Sequence, residues 1–242
     1  MIPEWQTRTG MLLGEAALER LAAARVVVVG VGGVGAMAAE MLVRAGVGHL
    51  TVIDSDSVNT TNINRQLLAL NSTVGRSKVE VLSQRLLDIN PGLDLHIEET
   101  YLTELNVESL IRKGECDHVV DAIDTISPKV ALICHCLAAG IPLVSSMGSG
   151  AKLDATAVKV ADISKTNMCP LAHMLRKRLH KMGIRSGFLA VFSEEKPLEG
   201  SIVLEESRNK KSQAGTVSYM PAVFGCVCAQ AVICRIAEIR DF

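Results

Sequence analysis

The sequence predicts an α/β fold: a doubly wound, mainly parallel sheet with an elaborated carboxyl-terminal part. Three observations predict it. Val26 to Val29 are four consecutive valines, the composition of a strand buried on both faces, as in a parallel sheet. Glycines at 30, 32 and 35 follow in the spacing GxGxxG, and a helical pattern opens at once with Ala36, Ala38, Ala39, Met41 and Leu42. Beyond this unit, apolar strand patterns and amphipathic helices alternate as far as about Gly150, as helices on both faces of a parallel sheet require.

In chain order, Met1 to Leu13 reads as an arm, and Glu15 to Ala24 as a short helix with Leu18 and Leu21 on one face. The valine strand, glycine turn and helix come next, in the Rossmann-like order, followed by a second strand, His49 to Ile53, ending at Asp54. Asp54 to Thr61 (DSDSVNTT) is rich in turn formers and reads as a loop, with a short helix starting near Asn62. Val79, Leu82, Leu86, Leu87 and Ile89 mark an amphipathic helix within Gly75 to Asn90, stopped by Asn90-Pro91. Leu93 to Ile97 alternates like a strand, Asn106 to Lys113 reads as a helix, Val119 to Ile123 as a buried strand, Pro128 to Ala139 as a helix, and Ile141 to Val144 as a strand. After Gly150 the alternation weakens: a strand at Ala157 to Ile163, a basic helix at Pro170 to Met182, a strand at Phe188 to Phe192, a mobile loop from Ser193 to Gly215, and an apolar helix or helix pair at Tyr219 to Ile239. With no repeat or linker, residues 1–242 read as one domain: an arm over 1–13, a core over 14–150 and an extension over 151–242.

At 242 residues the chain is long enough for a substantial core. Lys and Arg number 25 against 26 Asp and Glu, so any RNA partner would need a local basic patch rather than a global field. The amino-terminal MIPEWQTRTG has no basic stretch leading an apolar core, and no uninterrupted apolar run reaches a membrane span of about 18 residues, which points to the cytoplasm. Seven cysteines lie mostly inside apolar patterns, as thiols do in a reducing compartment.

The chemistry falls in three clusters. In the first, Gly30 permits a tight turn, Gly32 lets a phosphate approach the backbone, Gly35 lets helix pack on strand, and free helix amides attract anions; Asp54 lies near the spacing that reaches a ribose hydroxyl. The second is Asn62, Arg65, Gln66 and Lys78, either a solvated helix face or the charge needed to neutralise a triphosphate. The third is Asp121 and Asp124 in DAIDT, at the carboxyl end of a buried strand. Magnesium prefers one or two carboxylates plus phosphate oxygens, which suits Asp124 in the loop; a helix N-cap is its other reading, and Asp121 can brace the strand end.

These motifs, GVGGVG from Gly30, DSD from Asp54, NINRQ from Asn62, Gly75 to Lys78 and DAIDT from Asp121, resemble the ThiF, MoeB and ubiquitin-activating E1 superfamily over Arg8 to about Gly150. The resemblance implies ATP and magnesium, and adenylation of a carboxylate. It implies a nucleotide held by Gly30, Gly32, Gly33 and Gly35, with Asp54 on the ribose, Asn62 and Arg65 on the phosphates, Lys78 on an ATP phosphate and Asp124 on magnesium. Arg8, in RTGMLLG, is similar to the arginine that this family sends into the partner's active site, which implies a homodimer with Arg8, Arg65, Lys78 and Asp124 as its catalytic set.

Within the superfamily, RTGMLLGEAAL, DAIDTISPK, IPLVSSMGSG and the DISKT and PLAHMLRKRL segments most resemble the TcdA (CsdL) group, the tRNA threonylcarbamoyladenosine dehydratases, over almost the whole chain. That implies tRNA as substrate, its threonylcarbamoyl carboxylate being activated by ATP and cyclised. A cysteine desulfurase or sulfur-acceptor system is a further partner to consider. Two other readings stand beside it: an adenylyltransferase for the terminal glycine of a ubiquitin-like sulfur carrier, and a non-catalytic nucleotide-binding module. Arg65 and Lys78 disfavour a dinucleotide dehydrogenase.

Many relatives in the superfamily hold zinc with two CxxC pairs, but the closest spacings here are CxC, at Cys134 with Cys136 and at Cys226 with Cys228. One intervening residue turns two helical side chains about 200 degrees apart, so buried packing is expected of all four and no zinc is expected. Cys169, before a helix-opening proline, stands where the group resemblance leads one to expect an acid. It is a packed thiol or, less in keeping with the group, a thioester nucleophile. Arg176, Lys177, Arg178, His180 and Lys181 form either a solvated helix or, as the resemblance favours, a contact with RNA phosphates; Arg208, Lys210 and Lys211 are the alternative patch.

Overall fold

A computed structural model describes residues 3–204 and 212–239. The elements run α1 (Thr7–Leu13), α2 (Glu15–Ala23), β1 (Arg25–Val29), α3 (Gly35–Ala45), β2 (His49–Ile53), α4 (Lys78–Ile89), β3 (Asp94–Glu98), α5 (Val107–Leu110), β4 (His118–Asp121), α6 (Ile126–Ala139), β5 (Leu143–Ser146), β6 (Val158–Asp162), α7 (Pro170–Lys181), β7 (Leu189–Ser193), β8 (Ile202–Leu204), β9 (Ser212–Ala214) and α8 (Tyr219–Ile236).

The four-valine run explains itself once the sheet is built. Val26 and Val28 enter a core with α2, α3, α4 and α8, while Val27 and Val29 enter a second core on the opposite face with α5, α6 and α7. Alternate strand residues point to opposite faces, so only a strand covered on both sides is apolar at every position. Each such valine stabilises by about 1.5–3 kcal/mol. The seven strands lie in the order β3-β2-β1-β4-β5-β7-β6, parallel except that β6 runs antiparallel to β7. From β1 the chain builds outward through β2 and β3, then returns to add β4 on the other side. The carboxyl ends of β1 and β4 therefore flank the switch point, the place where open α/β sheets bind ligands.

Several expectations need correction. The predicted arm is mostly structured: a 3-10 turn at Glu4–Gln6 leads into α1, whose helical period carried no signal because none of its side chains is buried. The helix expected at Asn106 to Lys113 shrinks to α5, and that near Asn62 to a 3-10 turn, Thr60–Asn62. The loop expected over Ser193 to Gly215 contains β8 and β9, an antiparallel pair whose exposed Ile202 and Val203 gave no alternation against a core. Arg208, Lys210 and Lys211 lie outside the described residues. Of the four CxC cysteines, only Cys136 and Cys228 are buried; Cys226 is exposed and Cys134 half-buried, as opposite helical faces dictate. By length and composition α8 could cross a membrane, but half of it is buried, and its Gly225 packs so closely on α3 that a Cβ there would lie 2.4 Å from the Val34 carbonyl.

His118, at the start of β4, has neither ring nitrogen hydrogen-bonded among the described residues. Burial, with Arg235 adding to it, pushes its pKa down to about 4. The unfolded chain, with an ordinary histidine near 6.5, binds the extra proton first as pH falls, so the fold loses stability between pH 6.5 and 4. At pH 5 the loss should be about 2 kcal/mol relative to neutral pH. Denaturant titrations of wild type and His118→Leu at both pH values check this: an equal acid loss in the two proteins would remove His118 as its source.

Candidate functional site

At the end of β1, Gly30 has a φ of +84° and a Cβ there would lie 2.9 Å from the Ala122 carbonyl oxygen. Gly35 is more constrained: its Cβ would fall 1.7 Å from the Gly30 carbonyl oxygen, inside the turn itself. At Gly33 a Cβ would meet Pro221 at 2.9 Å and the Arg65 carbonyl at 3.1 Å. Packing within the chain therefore accounts for these three glycines. Gly32 is different. Its φ lies outside the left-handed region, and a Cβ would touch only Gln66 Nε2, at an ordinary 3.6 Å. The missing side chain at Gly32 leaves bare backbone where a phosphate can approach. Beside it, the buried Gln66 Oε1 has no hydrogen-bond partner among the described residues. An unsatisfied buried acceptor is costly, and a ligand donor would relieve it.

Asp54 is tied to the glycine turn. Its Oδ2 accepts from the Val31 N–H at 2.7 Å and its Oδ1 from the Asp56 N–H at 2.8 Å. Burial raises its pKa, while Lys78 and the two amides pull it down. Lys78 opens α4 with its stem buried, and its Nζ lies 2.7 Å from Asp56 Oδ2 on the exposed rim. Asn62, also buried, accepts the Asn59 N–H at 3.0 Å as half of a reciprocal cap. Arg65 Nη1 donates to the Thr61 carbonyl and to Asn64 Oδ1, both at 2.8 Å, holding the guanidinium at the edge of the turn.

The DAIDT segment divides its two acids. Asp121 is fully buried: Lys129 Nζ lies 2.8 Å from its Oδ2, Ser145 Oγ donates to the same oxygen at 2.6 Å, and the Ile123 N–H donates to Oδ1 at 3.0 Å. Lys129 also donates to the Ile123 carbonyl at 2.8 Å, so the buried pair grips Ile123 by both its backbone groups. The Ala122 N–H bonds the Val29 carbonyl at 2.9 Å, which sets this loop against the glycine turn. Asp124 is left exposed at the loop's end.

The glycine turn, Asp54, the Asn62 to Gln66 turn, Lys78 and the loop of Asp124 thus share one crevice at the switch point. Arg8 is not among them. Gln6 packs on Gly46 at the far end of α3, and an 11-residue helix separates that end from the glycine turn by roughly 16 Å. Cys169 is buried beneath the start of α7, and packing is what its position allows, so an attacking thiolate finds no support. Arg176 turns inward, donating to the Thr166 carbonyl at 2.7 Å and to the Thr166 hydroxyl, and leaves the expected RNA-facing set.

The sequence reading gave no role to Lys129 or Lys152, and it placed Gln66 in the phosphate cluster without a role of its own. Lys129 had a legible signal, a lone cation inside the apolar run of α6. Lys152 had none; it is buried, donates to the Glu195 carbonyl and helps to line a cleft of about 450 Å³ with Asn64, Leu153, Thr216 and Ser218. Asn64 Nδ2 bonds the Thr216 carbonyl at 3.0 Å, linking this cleft to the Arg65 turn. The arrangement offers bare amides and cations for phosphates, an exposed carboxylate for a cation, and next to both a largely apolar cleft that carries a few polar groups. Among the described residues no three His, Cys, Asp or Glu side chains converge as a metal site.

Residues 6–241 match the ThiF family. The chain is 39% identical over 238 residues to a tRNA threonylcarbamoyladenosine dehydratase of Bacillus subtilis, covering 94% of this chain and 92% of that protein. It is 44% identical to the protein of the same name from Escherichia coli over 72% of this chain, an alignment spanning 66% of that relative. The crystal structure of E. coli TcdA in complex with ATP superposes with a TM-score of 0.89 at 36% identity, covering 98% of this chain and 97% of that one.

Proposed function

Because the chain belongs to the ThiF family, we propose that it is an ATP-dependent tRNA threonylcarbamoyladenosine dehydratase acting as one domain in the cytoplasm. One observation carries the reading: the likeness to ATP-bound E. coli TcdA extends over 97% of that chain, and so takes in the carboxyl-terminal part as well as the nucleotide core. The E. coli molybdopterin-synthase adenylyltransferase, by contrast, aligns over 52% of this chain and 50% of its own length.

The residues fit ATP and magnesium through the bare backbone at Gly32, the unsatisfied Gln66 Oε1 and the exposed Asp124. Gly30, Gly32, Gly33 and Gly35 shape the phosphate turn. Asp54, locked by the Val31 amide, presents its remaining lone pairs to the ribose. Asn62 sets the turn from which Arg65 reaches the phosphates, and Lys78 exchanges the solvated Asp56 for a phosphate oxygen. Magnesium on Asp124 would supply Lewis-acid neutralisation of charge on the phosphates. The cleft beside Asn64 and Lys152 gives the substrate carboxylate room and a cation next to the α-phosphate. Attack by that carboxylate releases pyrophosphate. Ring closure then expels AMP with the carboxylate oxygen, so the tRNA loses the elements of one water.

Arg8 acts from a second copy of the chain in this reading. Its helix, α1, stands away from its own site, and Met11 and Leu12 are 82% and 83% exposed, an apolar face suited to burial in a homodimer. Incubation of the protein with threonylcarbamoyl-modified tRNA and ATP tests the function. Expected are AMP, pyrophosphate and a nucleoside lighter by one water. AMP formation with a sulfur-carrier protein instead would transfer the assignment to an adenylyltransferase.

A further inference from the structure

We propose that the shallow cleft between the first turn of α6 and the outer face of α7 binds backbone phosphates of the RNA substrate. The inference rests on the dehydratase reading and names the surface by which that substrate is held.

The charge run of α7 cannot act as a unit, because consecutive helical residues point about 100 degrees apart. The structure sorts it. Leu175 and Leu179 are buried and anchor the helix, and Arg176 is spent on Thr166. Met174, Lys177, Arg178 and Lys181, at i, i+3, i+4 and i+7, form one stripe, and all four are exposed. With Ile126 of α6 they line a cleft of about 230 Å³. Arg178 is steadied by a 3.1 Å hydrogen bond to Ser127 Oγ, which leaves its other donors available. Lys177 and Lys181 make no ion pair among the described residues, whereas Arg25, Arg44, Arg85 and Arg112 each face a carboxylate. Three cations gathered on one stripe, in a chain of net charge -1, form a local anion-binding field.

Two features favour RNA over another anion. The cleft begins at Ile126, two residues after Asp124, so it opens beside the crevice that holds the reacting end of the substrate. Lys181 stands one helical turn, about 5.4 Å, beyond the Lys177 and Arg178 pair, close to the spacing of successive phosphates in a folded strand, with Met174 and Ile126 as an apolar floor for the sugar between them. These contacts position the strand and do not read its sequence.

The test compares wild type with the triple variant Lys177→Gln, Arg178→Gln, Lys181→Gln, the single variant Lys181→Glu, and Arg176→Gln as an inward-facing contrast. Substrate-tRNA affinity is measured across a salt series, beside ATP affinity and thermal midpoint. The triple variant should raise the tRNA Michaelis constant at least tenfold, keep the ATP constant, and flatten the salt slope by about 2 to 3, since each lost phosphate contact removes about 0.7–0.9. Lys181→Glu should shift tRNA affinity in the same direction without depending on the triple variant's folding. Arg176→Gln should lower the midpoint and leave the slope alone. Unchanged tRNA affinity and slope in both cleft variants would overturn the proposal and return the stripe to solvent or to an acidic protein partner. Failure of the wild type to convert tRNA is a separate outcome, and overturns the dehydratase reading instead.

Discussion

Asp124→Asn should abolish conversion of the tRNA while leaving the fold as stable as before. The side chain is exposed, so the midpoint should stay within about 0.5 kcal/mol of wild type. The amide keeps the shape and loses the charge that a divalent cation needs, and turnover should fall on the order of 10²–10³-fold. Wild-type turnover in this variant at ordinary magnesium would remove Asp124 from the mechanism. The same variant tests the position of Arg8. Arg8→Ala should also lose rate, with ATP binding kept. If Arg8 crosses between subunits, mixing the two inactive proteins gives dimers in which one site carries both lesions and the other neither. Activity should then reappear on mixing; a mixture as inactive as its components would count against the crossing of Arg8 between subunits.

Lys129→Met should destabilise the protein by about 3–5 kcal/mol, because it strands Asp121 as an unpaired charge with no solvent to turn to. The Ile123 carbonyl loses its donor at the same time, so the loop carrying Asp124 should loosen. Adding Asp121→Asn removes the stranded charge while keeping acceptors for Ser145 and Ile123, and should recover a large part of the loss. Denaturant midpoints of the three proteins decide it. A Lys129→Met protein within 0.5 kcal/mol of wild type would mean that the pair contributes little to holding the loop.

The parts of this molecule that were legible in the sequence are those whose cause is local. Four valines suit a doubly covered strand, and a glycine turn followed by alanines suits the start of a close-packed helix. Asp124 was separable from Asp121 because one sits in the strand and the other past its end. Arg176 was not separable from Lys177 and Arg178, since its inward turn is decided by Thr166, ten residues away on another element. Nor was α1 legible, because the helical signal is a buried face and α1 buries none in its own chain. The pair β8 and β9 was hidden for the same reason, its apolar residues being exposed. Lys152 became visible only when the chain brought it to the cleft beside Asn64.

The contact between α8 and the glycine turn has a consequence for how the chain is made. Pro221 stands against Gly33 and Gly225 against Val34, so the last helix backs the phosphate cradle built by the first strand unit. About three quarters of the 242 residues lie between these partners, and closing so long a loop costs chain entropy before any contact rewards it. On the ribosome the amino-terminal unit emerges early, yet its cradle stays without its rear support until α8 has been translated and has docked. Completion of the cradle therefore waits on the docking of α8, and a nascent chain halted before α8 should bind ATP more weakly than the finished fold.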